Sequence, residues 1–319
     1  MLTLIGRKLI GLVPVIIAVS ILTFGFMSLL PGDPAVEIAG TNATPEAIEA
    51  QREILGLNDP IPVRYWDWAS SALTGDLGRS ARTNQPVSES ISERLPVTFQ
   101  IMVVTLSMAL MVSIPLGVLV AYKSGTFLDR GVTALSFGLL SIPNFVIALG
   151  LMIIFAVELG WFPATGWVKF SENPFMSLRA TFLPALALAI GNVAVLTRLL
   201  RTDMIATLQE DHVVMARSKG IPTRRILFRH ALRPSSFSLM TVIGLQIAAL
   251  LSGTLIIETI FALPGLGNFL YRAINDRDFV VVQGVVLFFA VLYVFINFTI
   301  DILYSFLDPR IRHGQRATA

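Results

Sequence analysis

The sequence predicts an all-α integral membrane protein with six transmembrane helices, and three observations predict it. Mean hydropathy is +0.73 over 319 residues. Hydrophobic residues make up 54% of the chain and charged residues 14%, where an ordinary soluble domain carries about a quarter charged residues. A chain this apolar has too little polar surface to dissolve as a globule, so the excess faces lipid. The apolar residues are also gathered into charge-free stretches near the ~20 residues that a spanning helix requires.

Those stretches lie between Lys8 and Asp33, Arg94 and Lys123, Arg130 and Glu158, Arg179 and Arg198, Arg233 and Glu258, and Asp278 and Asp301. The fourth is the shortest. The first is too long for the apolar part of a secretory signal and has no small-residue cleavage site before the charged segment, so it reads as an uncleaved span.

An even number of spans puts both termini on one side of the membrane. Arg7, Lys8, Lys123 and Arg130 fall on that side. So do Arg198, Arg201, Arg217, Lys219, Arg224, Arg225, Arg229, Arg233 and the tail residues Arg310, Arg312 and Arg316. These are most of the 24 basic residues, which predicts that both termini are cytoplasmic. Arg52, Arg64, Arg79, Arg82 and Arg94 sit in a long, acid-rich outer loop, and long loops translocate largely regardless of charge.

The expected organisation is therefore an N-terminal segment and first span over 1–30, an extracytoplasmic segment over 31–95, and a five-helix core over 96–319. The 31–95 segment is too long to be a mere connector. It opens with LPGDPA, a Pro/Gly stop after the first span. Thr44-Pro45-Glu46 predicts a helix with proline at its first position, running to Leu55 and capped by Gly56. Tyr65, Trp66 and Trp68 suit the headgroup interface, and an anchoring role there is favoured over a surface for an external protein.

The loop at about 200–235 is the most informative segment. It reads RTDMIATLQEDHVVMARSKGIPTRRILFRHALRPSS. Its first half is compatible with a helix to Lys219. Gly220 suits a left-handed cap and Pro222 opens a second helix. Arg225, Arg229 and Arg233 are spaced to share one face of that second helix. Positive residues beside a span are ordinary topology signals. A short helix mixing Glu210 and Asp211 with Val213, Val214 and Met215 suggests in addition a docking element for a soluble partner.

Much chemistry is excluded. There is no cysteine, and His212, His230 and His313 have no metal-ligand spacing. No lysine follows a glycine, so there is no phosphate-binding G-x-x-x-x-G-K-[ST] loop. Gly265-Leu266-Gly267 follows no strand and reads as a turn, not a dinucleotide site. Neither H-E-x-x-H nor G-x-S-x-G occurs. No catalytic or metal residue is predicted. Glu258, at the end of the fifth span, is expected to find a structural partner. No acid lies at a span's middle, which counts against a proton- or sodium-coupled carrier. Asn144, Asn192 and Gln246 are polar residues inside spans and candidates for a translocation path, although hydrogen bonding between helices is their commoner role.

Four ordered stretches carry a family resemblance. EDHVVMARSKG followed by RRILFRHALRPS resembles the cytoplasmic EAA loop of binding-protein-dependent ABC importers, through the pair Glu210 and Asp211, Ala216 and Gly220. The Glu-Ala-Ala core is degenerate, and His230-Ala231-Leu232-Arg233 stands where many importers carry I-x-L-P. That variant resembles the peptide-importer branch, with Ser218 in place of an alanine. LLPGDPA, then GLNDPIPVRYWDW running into LTGDLGRS, then SGTLIIETIFALPGLGNFLYRAINDRDFVVVQG are similar to the same branch. Together they resemble the first permease subunit of the dipeptide/oligopeptide/nickel family.

The resemblance implies a type I ABC importer permease fold, forming half of a pore for dipeptides or oligopeptides. It implies a homologous second permease, two cytoplasmic ATPases that bind ATP and Mg, an extracytoplasmic substrate-binding protein, membrane lipid and no nucleic acid. On this basis Glu210, Asp211, Val213, Val214, Met215, Ala216, Lys219 and Gly220 sit in or beside the ATPase contact of a coupling helix. Glu258, Pro264, Gly265 and Gly267 shape a re-entrant turn near an outer gate. Nickel, glutathione or another small solute is the alternative cargo within the family. A single-chain secondary carrier is the more distant alternative.

Overall fold

Lipid offers no partners for backbone polar groups, so the long apolar stretches close their hydrogen bonds internally as helices. The computed structural model describes residues 2–29, 34–40, 43–54 and 56–307. Among these there is no strand, only an isolated bridge between Arg79 and Pro86. The predicted stop at Pro31-Gly32-Asp33, the helix end at Leu55, and Arg310, Arg312 and Arg316 lie outside the described residues.

The helices are α1 (Leu2–Leu29), α2 (Pro34–Ala39), α3 (Pro45–Ile54), α4 (Ile61–Leu73), α5 (Val87–Tyr122), α6 (Phe127–Leu140) and α7 (Asn144–Leu151), which continues as a π segment over Met152–Glu158. There follow α8 (Pro174–Leu208), α9 (Asp211–Ser218), α10 (Thr223–Arg225), a second π segment over Ile226–Ala231, α11 (Leu232–Ile260), α12 (Leu266–Asn275) and α13 (Phe279–Leu307). Among the described residues, five helices are long and apolar enough to cross a membrane, or six if the pair α6 and α7 counts as one span.

That pair departs from the sequence reading. The Arg130–Glu158 stretch is not one straight helix but two helical pieces meeting at 96°. Pro143 explains the break: it has no N–H for a helical bond, and its ring drives Ile142 out of the helical region. The fourth span differs as well. Its helix does not stop at Arg198 but runs on to Leu208. The basic residues on this extension are accommodated, Arg198 over the Phe137 ring at 5.4 Å and Arg201 against Asp129.

The chain divides into two compact units. Unit one comprises residues 1–98 and 264–295, and unit two comprises 99–263 and 296–319. In unit one, α4 packs on α1. Tyr65 and Trp68, one turn apart, both reach Phe24, with ring centroids at 5.6 and 5.8 Å, and the Tyr65 hydroxyl meets Ser20 Oγ at 2.8 Å. Trp66 points the other way and is 72% exposed. The α3 start follows the sequence: Pro45 occupies the first position and Thr44 Oγ1 accepts from Ala47 N. Gly56 takes the left-handed conformation.

In unit two, α8 is the central helix, with 67% of its most apolar window buried. It begins cleanly because Asn173 caps it, accepting from Met176 N, with Pro174 next. It packs against α6, α7 and α11. Its contacts with α5 are partly polar: Gln100 donates to Ser177 and Thr181, at 3.0 and 3.2 Å. Leu196, Leu200 and Met204 form a core with Ala109, Val118, Ala121, Ala231 and Leu239. Gly117 admits this approach, since a Cβ there would lie 2.9 Å from Leu200 Cδ2.

Candidate functional site

The residues singled out between Glu210 and Gly220 form one small element in unit two. Its helix, α9, starts where α8 ends. Glu210 takes an extended conformation, and its carbonyl accepts from Val213 N and Val214 N. Asp211 stands in the first turn and Arg217 in the last, each of the sign that suits the helix dipole. The helix closes as expected from the sequence. Gly220 has φ +72°, its N–H bonds Arg217 O, and Ile221 N–H bonds Ala216 O. This is a Schellman cap, whose apolar contact is supplied by Ile221 against the Val213 and Ala216 cluster.

The two faces of α9 differ in kind. Val213 and Ala216 are buried against Ile226, with Leu208 and Ile221 beside them. Val214 and Met215, one step round the helix, are 54% and 57% exposed. Glu210, Asp211, Lys219 and Gly220 are exposed too. His212 braces the element, with Nδ1 3.1 Å from Glu210 Oε2 and Nε2 3.3 Å from the His230 carbonyl. The buried side holds the helix in place and the outer side offers two large apolar groups ringed by charge. Behind α9 lies a cavity of about 610 Å³, with Tyr122, Gln209, Arg217 and Thr223 among its lining.

The second half of the predicted hairpin takes a different form. Pro222 precedes the helical turn Thr223–Arg225, which passes at once into the π segment. The spacing of Arg225, Arg229 and Arg233 therefore runs through a change of helical phase and is not a single α-helical stripe. All three are exposed.

Among the second set of residues, Glu258 belongs to unit two and is fully buried in the last turn of α11. Its carbonyl accepts from Leu263 N at 2.8 Å, and Ala262 N bonds Thr259 O. Ala262 takes the left-handed conformation here, at φ +50°. Pro264, Gly265 and Gly267 belong to unit one. Gly265 has an ordinary extended backbone, φ −93° and ψ −179°, and precedes α12, in whose first turn Gly267 is buried. The G-x-G segment read as a turn is thus a helix start, and the left-handed residue of this region is an alanine.

In unit one, α12 is fixed by residues the sequence did not single out. Leu266 N donates to Thr98 Oγ1 at 2.9 Å, and the Arg94 guanidinium lies 4.2 Å from the Phe269 ring centroid. Gly78–Val87 forms a tight hairpin, with Val87 N bonding Gly78 O and Ser80 N bonding Gln85 O. Ser80 Oγ donates to Asp278 Oδ2 at 2.6 Å, and Arg82 donates twice to the Asp276 carbonyl. The stretches LTGDLGRS and INDRDF, far apart in sequence, are here one polar joint.

In unit two, Arg201 forks onto Asp129 through Nε and Nη2, the latter at 2.7 Å, while Gly125 N donates to Asp129 Oδ2 at 2.9 Å. Asp129 is 3% exposed. In the sequence Arg201 is only a topology charge. A lone acid one residue before a charge-free stretch was the available signal.

Residues 113–313 match the family described as the binding-protein-dependent transport system inner membrane component. Residues 1–102 match the N-terminal family of the same transport system membrane component. The chain belongs to this permease family. A Brucella abortus (strain 2308) protein assigned as a peptide transport system permease is 43% identical over 313 residues, covering 98% of this chain and 100% of that one. The oligopeptide transport system permease of Bacillus subtilis (strain 168) is 38% identical over 310 residues, 96% of this chain and 98% of the relative. A chain of the MetNI methionine ABC transporter, solved in inward-facing conformations, superposes with a TM-score of 0.58 at 16% identity. It covers 69% of this permease and 96% of the MetNI chain, and shows a common fold. The permease is a multi-pass inner-membrane subunit of a binding-protein-dependent importer.

Proposed function

We propose that this permease carries dipeptides or oligopeptides inward, with ATP hydrolysed by two partner ATPases, one of which docks on α9. The peptide cargo rests on the relatives, whose names assign them to peptide and oligopeptide transport. The docking rests on one observation: Val214 and Met215 stand exposed on a helix whose opposite face, Val213 and Ala216, is anchored in unit two. Exposed apolar groups on a braced helix suit a partner's groove. Glu210, Asp211 and Lys219 rim that contact, and Gly220 sets its angle.

The proposed topology has six spans, with the α6–α7 pair as the bent third, and both termini in the cytoplasm. Residues 1–30 carry the first span, 31–95 the extracytoplasmic segment and 96–319 the five-helix core with the coupling loop. A homologous second permease completes the pore, and an external binding protein delivers the cargo. Glu258, Pro264, Gly265 and Gly267 shape the outer turn. ATP and Mg belong to the partner ATPases.

Co-expression with neighbouring genes and purification in detergent tests this reading. A second permease and ATPases should accompany the chain, and the complex should hydrolyse ATP faster with a peptide-loaded binding protein. Stimulation by nickel-loaded or glutathione-loaded binding protein alone would overturn the peptide cargo. A homo-oligomer transporting without nucleotide would overturn the coupling.

A further inference from the structure

In unit two, an open cavity of about 340 Å³ lies beside the break at Pro143, between α7, α8 and α11. Its polar lining consists of three carboxamides, Asn144, Asn192 and Gln246, and none of its lining residues is ionisable. The rest is apolar or glycine, including Pro143, Leu188, Gly191 and Gly253. Asn192 stands mid-way along α8 and Gln246 mid-way along α11, each inside a charge-free stretch.

Two details set the cavity's chemistry. Asn192 Nδ2 donates to the Leu188 carbonyl of its own helix at 2.9 Å, and this leaves Asn192 Oδ1 buried without a partner. A buried acceptor with no donor is costly. Gly191 lets the opposing carboxamide close in, since a Cβ there would stand 3.2 Å from Asn144 Oδ1. Asn144 therefore lies against α8 at Gly191.

We infer that this cavity is a binding site for the backbone amides of the transported peptide, an inference that rests on the peptide reading above. Carboxamides donate and accept at once, as do the alternating N–H and C=O groups of a peptide backbone. With no charge in the lining, the site favours neither cations nor anions. The lining has neither the carboxylates that neutralise a divalent hard cation nor the imidazoles and thiolates that hold a transition metal. Amide-to-amide recognition ignores side-chain identity, which suits a path that must pass many sequences. The volume lies at the lower end of the ~300–1,000 Å³ of ligand pockets, so it holds a short stretch of backbone.

The test uses the complete complex in proteoliposomes, with a radiolabelled pool of tripeptides and the binding protein. A photoreactive residue at Val195 or Ala249, both in the lining, should label the peptide during ATP turnover. Asn192→Leu and Gln246→Leu should lower peptide uptake per ATP hydrolysed about tenfold, as expected for loss of a hydrogen bond to the cargo. The partner permease should still co-purify in normal amount. Labelling of the partner permease alone, or loss of that permease from either leucine variant, would make the cavity a subunit interface and overturn the inference. Unchanged uptake per ATP in both variants would overturn it too. If the wild-type complex fails to import the pool at all, the peptide reading itself falls, and the cavity's ligand with it.

Discussion

Ser80 and Asp278, 198 positions apart, share a buried hydrogen bond of 2.6 Å. Asp278 also accepts from Val281 N, so one carboxylate both caps α13 and holds the Gly78–Val87 hairpin. Ser80 is bound in return by the hairpin's own backbone, from Arg82 N and Thr83 N. Ser80→Ala should therefore destabilise the protein by about 1.5–3 kcal/mol, the range for a hydrogen bond to a charged group. A lowered thermal unfolding midpoint in detergent, with faster proteolysis within Gly78–Val87, is the expected outcome.

The two faces of α9 predict opposite phenotypes for like substitutions. Met215→Asp places a charge on an exposed position and should leave thermal stability unchanged while abolishing ATPase co-purification. Val213→Asp buries an unpaired charge and should destabilise the permease itself. Measuring unfolding midpoint and ATPase recovery side by side separates them.

Gly220→Val forces a β-branched residue to φ +72°. The left-handed conformation costs about 1–2 kcal/mol for an L-residue, and the Schellman cap fails with it. ATPase recovery should fall although no contacting side chain has changed. Gly220→Asn, which tolerates that conformation, should retain most of it.

Asp129→Asn removes the charge that the Arg201 fork grips. A loss of about 1.5–3 kcal/mol is expected. Arg201→Lys should not restore full stability, because an ammonium lacks the planar fork that meets both carboxylate oxygens. Thermal unfolding of the two variants and of the double variant measures the coupling.

Gly244 is the clearest close approach in unit two. A Cβ there would fall 2.5 Å from Ile300 Cδ1 and 2.9 Å from Ile300 Cγ2. Gly244→Ala should cost about 1–3 kcal/mol by overpacking, and Ile300→Ala in the same chain should recover much of it. Additive losses in the unfolding midpoint would contradict this contact.

Much of this architecture was legible in the chain because spans and caps are local features. Charge-free stretches marked the membrane helices, Pro45 and Gly56 marked a helix start and stop, and Gly220 marked the end of α9 by its need for positive φ. The bend at Pro143 was hidden because hydropathy does not distinguish one apolar stretch from two. Proline inside the stretch was the available signal. The reach of α8 to Leu208 was hidden because Arg198 and Arg201 look like span ends until Phe137 and Asp129 are seen to receive them.

The site was legible in outline and not in orientation. Composition placed Val213, Val214, Met215 and Ala216 on one short helix, but which pair faces inward depends on Ile226, across the turn. Sequence points to Glu258, Pro264, Gly265 and Gly267 for the turn after α11, whereas Ala262 carries the positive φ. Nothing in an alanine's chemistry announces that. Ser80 with Asp278, and Asn144 with Gly191, are non-local pairs that no periodicity reports.

ATP hydrolysis by the reconstituted complex is the most direct test of the central claim, that α9 couples this permease to ATPases that drive peptide import. Peptide-loaded binding protein should stimulate hydrolysis, and Met215→Asp should abolish that stimulation while the permease stays folded in the membrane. Full stimulation with Met215→Asp, or peptide uptake by the permease without any ATPase, would contradict the account.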